Sequence, residues 1–166
     1  IALTDREGEL WSAAYGQSNL WARTPASTNT VYLIGSTFKA QSTVALLQQM
    51  EQGKFFLDDK VSDYLEGLTL RGEDPDNPVT FRHMLTHTSG MPGDFGPHLV
   101  WGETSPLALT EYLTDSLRLA TPPQQAVVYS NMAYSLVAHL VEKFSGVPSK
   151  QDIRENGWGP LDREHT

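Results

Sequence analysis

Apolar side chains recur at helical spacing in two long stretches of the chain. In residues 131–144 they repeat every three or four positions and share one face of a helix: Ala133, Leu136, Val137, Leu140, Val141 and Phe144. Residues 36–52 carry large apolar side chains after their first turns, at Val44, Leu46, Leu47 and Met50. Gly53 and Gly146 follow the two stretches, and glycine is the residue that most often ends a helix. The pattern therefore predicts core helices over 36–52, as a buried helix, and over 131–144.

The first sixteen residues have a different pattern. Two short apolar runs flank Asp5 to Gly8, and a second glycine follows at position 16. Apolar runs around a tight polar turn are typical of a β-hairpin. Residues 17–30 are polar and rich in turn-forming residues, so we predict a connecting loop there.

Several short elements are expected between and after the core helices. We predict a brief helix capped by Asp58 and a helix over 81–87 capped by Thr80. A further helix is expected from Pro106 to about Leu119, because proline suits the first helical position. Residues 67–78 are predicted to be an exposed loop and 91–106 an irregular segment lining a cleft; one more short helix is expected after Gly146.

Bulk properties exclude several classes of function. The chain has 166 residues, a net charge of −8 and no cysteine. The acidic balance and the lack of a Lys/Arg cluster argue against nucleic-acid binding. No apolar run is long enough to span a bilayer, and thiol chemistry is excluded. Because the chain starts at Ile1 without a methionine, we expect a processed or trimmed start.

Ser36 and Lys39 are the first candidate functional pair. Residues three apart lie on one face of a helix, so the hydroxyl and the amine converge. A serine needs a neighbouring base to become a nucleophile, and a lysine serves as that base only if burial or nearby positive charge keeps it neutral. The helix start favours negative charge here, and the Ser36 amide would supply half of an oxyanion hole. The alternative is an N-cap serine with a solvated lysine, and the pair alone leaves both open.

Tyr129 and Asn131 form a second candidate pair at the predicted extended-to-helix turn before residue 131. A phenol near an ammonium group loses its proton more easily and relays one to a leaving group. The Asn131 amide offers both a donor and an acceptor. The alternative is that Asn131 caps the helix and Tyr129 is a half-buried core residue. His83 and His87 are spaced like zinc ligands, but no glutamate follows His83 and no third ligand is evident, so we set zinc aside.

The two pairs together resemble a known family. Ser-x-x-Lys and Tyr-x-Asn each occur once, in this order, as in the penicillin-recognising serine hydrolases. Residues 84–92, MLTHTSGMP, match a typical stretch of that family, and residues 5–16 look like its opening hairpin. The chain is most similar to the class C β-lactamase-like branch, which includes class C β-lactamases, D-alanyl-D-alanine carboxypeptidases, D-aminopeptidases and β-lactamase-like esterases.

The resemblance implies a fold and a division of the chain. The expected class is α+β, of the β-lactamase/transpeptidase type, with a mostly helical domain plus part of an antiparallel sheet with flanking helices. Residues 1–35 would form the N-terminal hairpin and lead-in of the α/β domain. Residues 36–145 would hold the nucleophile helix and the helical domain, and 146–166 would return towards the α/β domain.

The resemblance also assigns roles by position. Ser36 would be the acylated nucleophile, Lys39 its base or base partner, and Tyr129 a proton relay. Asn131 would bind the substrate amide. His87, like Ser89, would help to build the helical domain without doing chemistry.

The implied activity is that of a serine hydrolase acting through an acyl-enzyme on a β-lactam, a D-amino-acid peptide or a short-chain ester. The alternative is a non-catalytic penicillin-binding sensor or assembly module with the same fold. The partner would be a small-molecule substrate, and metal, nucleotide and flavin cofactors have no support. The resemblance favours an extracytoplasmic location.

The chain departs from the family pattern in several respects, of which the absence of the third motif matters most; Ala40, where the family often has Ser or Thr, is among the smaller ones. The third motif, a Lys-Thr-Gly or His-x-Gly triplet that supplies the second oxyanion N–H, has no match. We therefore expect a front portion of a larger enzyme, a second segment or chain that completes the sheet, and little or no activity from 166 residues alone. A further small departure is Gln124, which follows Pro123 where the family usually has Pro-Gly.

Overall fold

A computed structural model describes residues 1–93 and 109–161. The chain divides into two compact units, Ile1–Gly35 and Ser36–Thr166. In the first unit, strands β1 (Ala2–Thr4) and β2 (Glu9–Ser12) pair antiparallel. The Asp5 carboxylate closes the turn by accepting the N–H groups of Glu7 and Gly8 at 2.7 and 3.1 Å. The predicted hairpin is confirmed.

A second hairpin lies in the same unit. Strands β3 (Gln17–Asn19) and β4 (Thr24–Pro25) pair antiparallel within the segment predicted as a connecting loop, so that prediction was wrong for these residues. The strands are only three and two residues long, and their side chains are exposed. The alternation that marks a half-buried strand is therefore absent from the sequence.

The second unit begins with the first core helix. A 3₁₀ turn, Gly35–Thr37, leads into helix α1 (Phe38–Glu51), so the α-helix starts two residues later than predicted. Gly53 follows it with φ 77°, as expected of a helix-ending glycine. The buried positions of α1 include Ser42 and Gln49 as well as Ala45 and Leu46. Val44 is 51% exposed, so α1 is covered on one face only and is not the buried helix that was predicted.

The segment between residues 54 and 90 adds two short helical elements. A 3₁₀ turn, Val61–Tyr64, follows Lys60, whereas Asp58 binds the Arg82 guanidinium at 2.7 and 2.9 Å and caps nothing. Helix α2 (Phe81–Leu85) is capped by Thr80 as predicted. It ends two residues before His87, because His87 has a left-handed backbone with φ 59°.

Helix α3 (Leu109–Ser116) follows the undescribed residues, and the predicted start at Pro106 and most of the predicted cleft segment 91–106 lie outside the described residues. The helix ends before Leu119, because that residue's N–H bonds to the Arg71 carbonyl at 2.9 Å. This bridge draws the preceding segment inward, so Leu68 and Leu70 are buried. The prediction of an exposed loop over 67–78 was wrong for these two residues.

Helix α4 (Asn131–Ser145) packs against α1 and ends at Gly146, as predicted. It is followed by α5 (Ser149–Asp152), a π-helical turn (Ile153–Trp158) and a 3₁₀ turn (Gly159–Leu161). Side chains buried to within 2% of full coverage form the core: Ala45, Leu46, Phe55, Val61, Val79, Phe81, Met84, Met91, Leu113, Leu117, Met132, Ala133, Leu136, Val137, Leu140 and Val141. No helix in the described part of the chain is long and apolar enough to cross a bilayer.

Candidate active site

Ser36 and Lys39 meet at the start of α1. Ser36 lies in the 3₁₀ turn that precedes the helix and is exposed, while Lys39 lies in the first helical turn and is partly buried. Lys39 Nζ is 3.0 Å from Ser36 Oγ, which is hydrogen-bonding distance. The two side chains that the spacing placed on one face are therefore in direct contact.

Asn131 joins this pair from the first turn of α4. Its Oδ1 atom accepts a hydrogen bond from Lys39 Nζ at 2.5 Å. The cap of α4 is the preceding residue, because Ser130 Oγ accepts the Ala133 N–H at 3.0 Å. The alternative role of Asn131 as the helix cap is therefore wrong, and its amide is directed to Lys39.

Aromatic rings surround the Lys39 amine. Lys39 Nζ lies 4.7 Å from the centroid of the Tyr129 ring and 5.5 Å from that of Tyr134. Both distances are within the range of a cation–π interaction. Tyr129 is 49% exposed, so it forms part of the surface of the site and is not a core residue.

Tyr134 was missed by the sequence analysis. Its hydroxyl is 3.0 Å from Thr43 Oγ1 on α1, which fixes the ring beside Lys39. A signal was available: Tyr134 is three residues after Asn131, and Thr43 is four after Lys39, so each pair shares a helix face.

The stretch 84–93 holds the Tyr129–Asn131 turn in place. The Val128 N–H bonds to the His87 carbonyl and the Asn131 N–H to the Gly93 carbonyl, both at 2.8 Å. Ser130 Oγ donates to the Pro92 carbonyl at 2.7 Å. The stretch and the Tyr-x-Asn pair are 36 or more residues apart in the chain, and hydrogen bonds join them directly.

Gly90 shows how tightly this stretch packs. A Cβ atom at Gly90 would lie 2.0 Å from the Thr121 carbonyl oxygen, and the residue has φ 77°. Both facts require glycine at this position.

The two histidines considered for zinc are engaged with protein groups. His83 Nδ1 accepts the Thr80 N–H at 3.2 Å, and His87 Nδ1 accepts the Ser130 N–H at 3.2 Å. Burial lowers the pKa of both rings, and the positive charge of Lys39 lowers that of His87 further. Within residues 1–93 and 109–161, no group of three or more His, Cys, Asp or Glu side chains is placed to hold a metal ion.

The structure shows how Gln124 is accommodated at the position where the family usually has glycine after Pro123. It has φ 65°, a conformation that glycine adopts without strain. Its side-chain amide lies 2.6 Å from His83 Nε2. Since His83 Nδ1 is an acceptor, the neutral ring carries its proton on Nε2, so the amide oxygen of Gln124 must face it. The hydrogen bond offsets part of the backbone strain.

Comparison with known proteins agrees with this fold. The Beta-lactamase family model matches residues 1–166. A penicillin-binding protein of Bacillus subtilis is 26% identical, with 95% of this chain aligned to 35% of that protein. The unguisins hydrolase of Aspergillus violaceofuscus is 28% identical, with 100% of this chain aligned to 30% of that protein. The solved octameric penicillin-binding protein homologue of Pyrococcus abyssi superposes with a TM-score of 0.80 at 26% identity, covering 98% of this chain and 38% of that one.

The chain belongs to the β-lactamase family and has the β-lactamase/transpeptidase fold, an α+β architecture of helices with small antiparallel sheets. It spans about a third of the length of the curated relatives named here.

Proposed function

We propose that this chain carries the nucleophile and proton-transfer groups of a serine hydrolase that acts through an acyl-enzyme. The supporting observation is that one amine, Lys39 Nζ, is within hydrogen-bonding distance of both Ser36 Oγ and Asn131 Oδ1. A neutral amine has two N–H donors and one lone pair. The charged amine donates to both oxygens. The neutral amine, which is the proposed reactive form, keeps the donor to Asn131 and directs its lone pair to the Ser36 hydroxyl.

The proposed reaction has two stages, acylation of Ser36 and hydrolysis of the acyl-enzyme. Ser36 Oγ attacks the substrate carbonyl carbon while its proton passes to Lys39. The tetrahedral intermediate collapses, and the leaving group takes a proton relayed through Tyr129. Water then attacks the acyl-enzyme ester carbon and gives a proton to Lys39; the bond to Ser36 Oγ breaks, the acid leaves, and that proton passes to Ser36 Oγ. Asn131 would bind the substrate amide, and the Ser36 N–H at the start of α1 would stabilise the oxyanion.

For the substrate we propose three chemical classes and not a single compound. A β-lactam, a D-amino-acid peptide and a short-chain ester all present a carbonyl carbon to Ser36, and we favour the ester and the peptide. The relatives' names include both penicillin-binding proteins and a hydrolase, which supports the reaction type more than any one substrate.

The test is covalent labelling of Ser36. A fluorophosphonate or a fluorescent penicillin should label the Ser36 peptide, identified by mass spectrometry, and Ser36→Ala should abolish the label. Ser12, a half-buried serine of β2 that makes none of the contacts described for the site, offers a control in Ser12→Ala. Label on another residue, or none, would refute the nucleophile assignment. A stable penicilloyl label with no release would favour the alternative, a penicillin-binding sensor.

We also propose that turnover depends on more chain than these 166 residues. The relatives named above are about three times as long, and loss of one oxyanion donor typically lowers turnover about 10²–10³-fold. Hydrolysis of nitrocefin and of a p-nitrophenyl ester should therefore be slow with residues 1–166 and faster with a longer form of the protein. Equal rates would contradict this dependence.

A further inference from the structure

His87 occupies a backbone position that favours another residue. It follows the last turn of α2 with φ 59°, the left-handed conformation in which helices most often place glycine. A residue with a Cβ atom is strained there, and such strain persists only where the surroundings compensate for it. Ending α2 therefore does not explain a histidine.

The contacts of the imidazole do explain it. The ring lies 4.5 Å from the Tyr129 ring and 5.2 Å from the Tyr134 ring, centroid to centroid. Its Nδ1 atom accepts the Ser130 N–H at 3.2 Å, and its carbonyl accepts the Val128 N–H at 2.8 Å. His87 therefore bonds to the chain on both sides of Tyr129 and packs against its ring at an interplanar angle of 34°.

The Ser130 N–H has particular weight among these contacts. It belongs to the peptide that joins Tyr129 to Ser130, so its direction sets the orientation of Tyr129 relative to Asn131. Ser130 is 0% exposed, and a buried N–H without an acceptor is costly. An acceptor at this point therefore fixes the turn.

We propose that His87 is a positioning residue for the reaction proposed above, on which this inference rests: its uncharged ring anchors the peptide between Tyr129 and Ser130 and keeps the phenol beside Lys39. The family resemblance assigned His87 only to the scaffold. Nδ1 accepts only while it is unprotonated, so acid would remove the anchor. Among the residues that the structure describes, the charged or titratable groups against the ring are Lys39 of α1, Tyr129 before α4 and Tyr134 of α4.

The test compares two glycine substitutions. His87→Gly and Gln124→Gly both replace a side chain at a left-handed position, φ 59° and 65°, and both relieve strain there. If His87 only ends α2, the two variants should label Ser36 at the wild-type rate. If it positions Tyr129, His87→Gly should lower the labelling rate about tenfold or more, while Gln124→Gly should not. Equal rates in all three proteins would overturn the proposal.

A measurement on the unmodified chain covers the case in which His87→Gly does not fold or Ser36 does not label. The Ser130 amide should be protected from hydrogen exchange at neutral pH, and its NMR shift should follow the titration of the His87 ring. An unprotected amide, or a shift independent of that titration, would overturn the proposal. Absence of Ser36 labelling with a protected Ser130 amide would refute the proposed function and leave the anchoring contact standing.

Discussion

Replacing Lys39 with methionine tests the site through two independent observables. Methionine keeps an unbranched side chain of similar length but has no donor, no lone pair on nitrogen and no charge. The variant therefore removes the contacts with Ser36 Oγ at 3.0 Å and Asn131 Oδ1 at 2.5 Å while largely keeping the packing.

The first observable is the rate of Ser36 labelling by a fluorophosphonate. General-base assistance contributes about 10²–10⁴-fold, which corresponds to about 3–5 kcal/mol of transition-state stabilisation. We expect Lys39→Met to lower the rate by that factor. Lys150→Met on α5, which removes an exposed lysine away from the site, should leave the rate unchanged.

The second observable is the pKa of His87, followed by NMR. Burial is the larger cause of its lowered value, and the charge of Lys39 adds to it. Removing that charge should raise the pKa of His87 towards the ordinary value of 6.5 and leave it below, because the ring stays buried. Lys150→Met should not move it. A His87 pKa that is unchanged or lower in Lys39→Met would refute a charged amine beside the ring, whatever the labelling rate.

Three further predictions concern stability. Phe55 stacks on Phe81 with ring centroids 4.0 Å apart and is 1% exposed, so Phe55→Ala should lower the free energy of unfolding by about 3–5 kcal/mol in a urea titration. The control Phe56→Ala, at a residue that is 69% exposed, should change it by less than about 0.5 kcal/mol. Similar losses in the two variants would contradict the described core. Gln124→Gly should be more stable than Gln124→Ala by about 1 kcal/mol. Both variants lose the hydrogen bond to His83, and only glycine relieves the strain of the left-handed backbone. The reverse order of stability would argue against a φ of 65° at this residue. Desolvation lowers the pKa of His139, so the unfolded chain binds more protons at this residue below pH 6.5, and its contribution to stability should diminish as the pH falls below that value. His139→Gln should flatten that dependence, and an unchanged pH profile would contradict it.

Local patterns were sufficient for the main helices and the first hairpin. The apolar period of residues 131–144 predicted α4 to within one residue, because that face packs against the core along its whole length. The turn at Asp5 to Gly8 could be predicted because its hydrogen bonds join residues two and three apart. In both cases the deciding contacts are near neighbours in the chain.

Elements whose stability comes from distant segments were predicted poorly. Leu68 and Leu70 looked like part of an exposed loop, yet a bridge between Arg71 and Arg118 draws that segment inward. The left-handed backbone that ends α2 at Leu85 could not be predicted from a histidine, which is not the residue that usually occupies such a position.

The candidate site shows the same difference between local contacts and contacts of distant segments. The sequence alone determined that Ser36 and Lys39 share a helix face and that Tyr129 and Asn131 flank a helix start, because helical periodicity is local. Only the tertiary structure decided that Ser130 caps α4, that Asn131 turns to Lys39 and that His87 anchors the Ser130 peptide. The cap is a local contact, whereas the contacts of His87 with Ser130 and of Lys39 with Asn131 join residues 43 and 92 positions apart in the chain. The packing of α1 against α4 brings Lys39 and Asn131 within hydrogen-bonding distance.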